Sequence, residues 1–337
     1  MIEPVTSTTV WLRRLWPAAA LGAGTVVVGL GTATLVALQP PASPPPSRAV
    51  LALRSAHDDA ARLAGLARAA GQPAAALVLD RQATVLAAAP GVATGSPSAG
   101  SPPSSSTASS STTAARDLAD GLSASVAARL GALADVDGPT STVLASVAAA
   151  QSLQLDGITK ATRQAPVPGA SPTASASPMA SASCAPSSAS PGANSAGANP
   201  VGTGLATVAR AEQASVYVLE TALARTQAGS GEAAGRTAAL DGHRKQLVEV
   251  ATLATSLCTA LPPQDPAFAV PADFAANPDP TVGAAAVSAE QAWAQFVGTL
   301  PPASRSGAAT GLLAAARLAP DTVAPFPGIP AAAVPAS

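Results

Sequence analysis

The chain has 337 residues, with 18 Lys and Arg against 19 Asp and Glu, and only 2% of it is aromatic. A net charge of −1 spread along an Ala- and Pro-rich chain leaves no basic patch for a phosphate backbone, which excludes nucleic acid as a partner class. The length allows two ordinary domains besides linkers and an anchor.

The first element lies at 15–38. From Leu15 to Leu38 no charge occurs, and Arg13 and Arg14 directly precede it. At about 1.5 Å per residue, a helix of this length measures about 36 Å, enough to cross a hydrocarbon core of about 30 Å. We read 15–38 as a retained transmembrane helix, with residues 1–14 cytoplasmic and all later domains extracytoplasmic, because the positive charges stand on its N-terminal side. Trp11 and Trp16 suit the interfacial belt. The alternative is a cleaved secretory signal, although the run is long for one and its end, Thr34–Gln39, offers no clean small-x-small site.

Residues 39–47 (QPPASPPPS) form a Pro-rich stalk. Apolar residues at helical spacing then predict a first bundle at 48–163. Its helices cover 48–70, 73–89, 114–136 and 140–162, interrupted by a Ser/Thr/Pro tract at 90–113 with too little apolar bulk to order itself. A second such linker occupies 164–204. A second bundle follows at 205–319, with helices at 205–227, 232–261, 282–300 and 304–318, and a Pro/Ala-rich tail at 320–337 closes the chain. Strand-like alternation is absent outside the apolar N-terminal segment. The expected fold is therefore all-α: an N-terminal transmembrane helix and two four-helix units joined by disordered linkers. The first unit has no aromatic residue, so its core must be Leu, Val and Ala. Cys184, in a Ser/Ala/Pro tract, and Cys258, late in a helix, read as unpaired thiols.

Three ionisable residues interrupt apolar faces of the second unit. Glu212 falls on the stripe Leu205, Val208, Val216, Leu219; His243 lies between Leu240 and Leu247; Glu290 shares a face with Val287, Ala294 and Val297. Buried charge is costly unless paired or metal-bound, so Glu212, His243 and Glu290 form a candidate buried polar cluster, with Tyr217 and Arg244 in support. One account is a metal centre of the kind helical bundles build from inward Glu and Glu-x-x-His ligands. Ser215 and Trp293 stand where those histidines would be, so the account preferred is a self-satisfied hydrogen-bonded cluster, with Arg210, Arg244 or Arg317 at hand and no metal or cofactor. His57-Asp58-Asp59 reads as a solvated face. Gly229-Ser230-Gly231 reads as a turn, and no nucleophile elbow or phosphate loop occurs.

The stretch Ala211-Glu212-Gln213-Ala214-Ser215-Val216-Tyr217, with His243-Arg244-Lys245-Gln246-Leu247 and Phe326-Pro327-Gly328, resembles a ferritin-like domain found in uncharacterised exported or membrane-attached proteins of actinobacteria. The resemblance covers about residues 201–330. It implies a fold and an envelope location, and it transfers no catalytic residues. Gln213 stands where that family often has His. Leu79-Asp80-Arg81-Gln82 echoes Leu240-Asp241-Gly242-His243, which suggests that the first unit is a divergent relative of the second. The expected function is a membrane-anchored, extracytoplasmic, non-enzymatic protein with a binding or structural role in the cell envelope. The alternatives are a degenerate metal-binding protein or oxidoreductase, and a binder of small apolar ligands or lipids.

Overall fold

A computed structural model of the chain describes residues 45–92, 111–164, 199–319 and 324–330. The expected transmembrane helix at 15–38 lies outside these residues, as do 39–44 of the stalk, most of both linkers, and parts of the tail.

The described residues form eight α-helices and no strand: α1 Arg48–Ala69, α2 Pro73–Ala87, α3 Ser111–Ala132, α4 Gly138–Gln164, α5 Pro200–Leu223, α6 Gly231–Ser256, α7 Asp279–Thr299 and α8 Arg305–Leu318. None of them is long and apolar enough to cross a membrane.

Local chemistry sets their ends. Ser47 caps α1 and Ser230 caps α6, each hydroxyl accepting from a backbone N–H three residues on. Asp137 caps α4 by accepting from the Thr140 N–H at 2.9 Å and its hydroxyl at 3.0 Å, and these bonds hold its carboxyl below the usual range. Helix α5 starts at Pro200, ahead of the expected Leu205, because Asn199 caps it and Pro200 pre-sets its first turn. At the end of α6, Cys258 takes a left-handed conformation (φ 50°), and the Thr259 N–H returns to the Ala254 carbonyl at 2.9 Å. One expectation is corrected here. Cys258 is not a free thiol but is disulfide-bonded; the other cysteine, Cys184, lies outside the described residues.

Each helix set follows the same order of neighbours. The first helix packs on the second and the third, and the third packs on the fourth. In the second set α6 also meets α8, which closes a ring. Contacts along its length fix the directions. Arg236, near the start of α6, bonds Thr226 after α5 and Asp279 opening α7. Gly202, near the start of α5, faces Thr259 after α6. Helices α5 and α6 are thus antiparallel, α7 runs with α6, and residues 257–278 form one long crossover along the bundle.

The helix sets are not separately cored. Leu133, Leu144 and Val147 of the first set share one apolar cluster with Leu205, Val208, Trp293, Phe296 and Leu312 of the second. Helix α4 is the shared member. It packs on α1, α3, α7 and α8, and every residue from Leu144 to Ser152 is buried. A helix enclosed on all sides must be slim, which explains its run of Ala and Ser. It crosses α7 where a Cβ on Gly138 would sit 2.2 Å from the Gly298 carbonyl oxygen. Arg305, opening α8, adds a polar tie by donating to the carbonyls of Leu133, Val136 and Leu300. A second cluster, Leu63, Leu79, Leu118, Leu122 and Ile158, is wholly aliphatic.

Candidate functional site

The inner face of α5 runs through Leu205, Val208, Glu212, Ser215 and Leu219. That of α6 runs through Leu240, His243, Gln246 and Val250. Helix α7 turns Ala286, Glu290, Trp293, Ala294 and Val297 inward. Val287, expected on that face, is instead 37% exposed, because α7 is so rich in Ala that its buried stripe is set by Trp293 and Phe296.

Glu212 is wholly buried and both of its carboxyl oxygens are used. Oε2 is hydrogen-bonded to His243 Nδ1 at 2.6 Å, and Oε1 accepts from the Trp293 indole N–H at 2.7 Å. An indole can only donate, so Oε1 serves purely as an acceptor. Three residues after His243, the buried Gln246 donates from Nε2 to the Gly311 carbonyl on α8 at 2.6 Å. Gly311 also carries the Trp293 ring, since a Cβ there would lie 2.4 Å from Cζ3. Glu212, His243, Trp293, Gln246 and Gly311 therefore join all four helices of the ring. Ser215 bonds back to its own helix at Ala211.

Glu290 is buried one turn before Trp293, yet among the described residues no hydrogen bond or ion pair joins it to Glu212 or His243. Burial pushes the Glu290 pKa up to about 7, against a lesser opposing pull from the Gly328 backbone N–H. Tyr217 and Arg244 also stand apart. Tyr217 packs against Phe268, ring centroids 5.8 Å apart, and Arg244 is an exposed partner of Glu220 at 2.8 Å. Arg210 pairs with Asp265 and Arg317 with Asp156, so neither reaches the Glu–His pair. The residue that sequence reasoning missed is Trp293. A buried indole N–H needs an acceptor, and Glu212 lies on the neighbouring apolar face.

The first set has its own buried polar contacts. Arg129 on α3 reaches Asp59 (2.7 Å), Ser55 (3.0 Å) and the Ala52 carbonyl (3.2 Å) on α1. Desolvation lowers its pKa while Asp59 opposes the shift. Of the acids expected on a solvated face, Asp58 is exposed and bonds His57, whereas Asp59 turns toward Arg129 and Arg62. Gln82, on the stretch that echoes His243, is wholly buried.

The second set is thus a four-helix ring pinned by a Glu–His–Trp network. Among the described residues no three His, Cys, Asp or Glu side chains come together as a metal site. Residues 204–331, from α5 to the turn containing Phe326-Pro327-Gly328, match the family described as Domain of unknown function (DUF4439). No curated protein and no solved structure matches the chain.

Proposed function

We propose that this is a membrane-anchored, extracytoplasmic helical protein with a non-catalytic binding or structural role in the cell envelope. In this reading the second helix set is a ferritin-like bundle of the actinobacterial kind that the sequence resembles, with the Glu–His–Trp network in place of a metal centre. The carrying observation is that both Glu212 oxygens are already hydrogen-bonded, to His243 on α6 and to Trp293 on α7, and that among the described residues no group of three His, Cys, Asp or Glu side chains could hold a metal ion. A ring of four helices with one long crossover is the connectivity of ferritin-like bundles. The uncharged segment at 15–38 supports anchoring, and the disulfide at Cys258 suits an oxidising compartment.

Elemental analysis of the purified full chain, before and after incubation with Fe, Mn or Zn, tests the non-metal reading. No stoichiometric metal is expected; retention of one ion per chain that Glu212→Gln abolishes would overturn it. Protease added to intact cells tests the topology. Digestion of the helical region is expected, and full protection while a known outward-facing control is cut would refute it.

A further inference from the structure

The Pro/Ala-rich tail does more than leave the bundle. Phe326 is 3% exposed and belongs to the main core. Around it, three helices read the segment 325–328. Gln82 on α2 donates to the Pro325 carbonyl at 2.8 Å, and Ser146 on α4 donates to the Pro327 carbonyl at 2.6 Å. The Glu290 carboxyl on α7 lies close enough to the Gly328 N–H for that group to favour its charged form. The Ile329 N–H closes the turn onto the Phe326 carbonyl at 3.1 Å. Gly328 has φ +75°, and a Cβ on it would fall 2.5 Å from the Ala294 Cβ and 2.7 Å from the Glu290 carbonyl oxygen.

These are the parts of a peptide-recognition site. An apolar pocket takes an aromatic ring. Two buried side-chain donors read alternate carbonyls, and both belong to prolines, which bring no N–H of their own to satisfy. A buried carboxyl lies beside one N–H, and the adjoining wall admits only glycine. Gln82 and Ser146 are wholly buried and Glu290 is 7% exposed, so the reading groups are costly to bury and gain partners from this segment.

We propose that the seam between the two helix sets is a binding site for a Phe-Pro-Gly turn peptide, with the chain's own residues 325–328 as its resident ligand. The site involves neither the Glu212 network nor the anchor. Helix α8 ends at Leu318, so a short tether holds the resident segment at high effective concentration. A partner bearing the same turn gains entry only when the tail is released.

The test uses the full chain with a specific protease site in place of residues 320–323, cut after folding, and a fluorescent peptide Ala-Pro-Phe-Pro-Gly-Ile-Pro in excess. Saturable anisotropy is expected, competed by unlabelled peptide and weakened at least about tenfold when the peptide carries Phe→Ala or Gly→Ala. The uncut Phe326→Ala chain should bind the same peptide. If that variant does not fold, the cut chain, which keeps every contact residue, decides alone. No saturable binding by the cut chain, or equal binding of the substituted peptides, overturns the proposal.

Discussion

Glu290 should contribute stability that is lost as pH rises across the mildly acidic range. Burial raises its folded pKa from an ordinary 4.5 to about 7. Between those values the folded state holds a proton that the unfolded state has lost. The contribution is therefore intact below the unfolded value, declines through the window, and is fully lost above the folded value. At about 1.4 kcal/mol per pKa unit, the total is roughly 3 kcal/mol. Glu290→Gln removes the titration and keeps an oxygen for the Gly328 N–H. Urea unfolding of the full chain, followed by far-UV circular dichroism, should give matching stabilities for variant and wild type near pH 4. At about pH 8 the variant should be more stable by up to roughly 3 kcal/mol. Taking the difference between the two proteins cancels the other titrating groups. Parallel pH profiles, or a variant less stable at about pH 8, would refute the reasoning.

Glu212→Ala strands the Trp293 indole N–H and the His243 ring inside the ring of helices, and should cost roughly 3–5 kcal/mol in the same assay. Glu212→Gln, which keeps an acceptor for the indole, should cost less than half of that. Arg305→Met deprives three carbonyls of their donor and should cost about 2–4 kcal/mol, without the pH dependence expected of Glu290→Gln. Replacing a helical Gly with Ala ordinarily stabilises by about 1 kcal/mol, but Gly311→Ala should destabilise by about 1–3 kcal/mol, because the Trp293 ring is pinned by Glu212 and cannot yield. Iodoacetamide followed by mass spectrometry should leave Cys258 unmodified until the chain is reduced; labelling without reductant would contradict its disulfide.

Helix existence was legible because Leu and Val recur at three- and four-residue spacing, and the positions of Glu212 and His243 on those stripes could be read directly. Their partner could not. Trp293 passes for ordinary core until its N–H is counted as a donor in need of an acceptor. Glu290 was visible on its face, but its contact, Gly328, becomes adjacent only when the tail folds back over α7. Val287 misled because the Ala residues of α7 mark no face, so one valine outweighed the true stripe. The shared core was hidden for a different reason. A Ser/Pro/Ala linker marks a break in the chain and says nothing about whether the apolar faces on either side meet. In α4 the residues facing α7 and α8 are small, so no large side chain announces that they are buried.

Because residues 144–152 of α4 are walled in on every side, that helix is a strut common to both halves of the described fold. The stretch of sequence kinship, 204–331, excludes it. Excising that stretch would bare the sides of α7 and α8 that α4 covers, around Gly298 on α7 and Arg317 on α8. The unit that recurs among sequences and the unit that shares one core are thus different objects. A chain made only of the recurring unit would need another helix, from a partner or a second copy, to fill the space of α4.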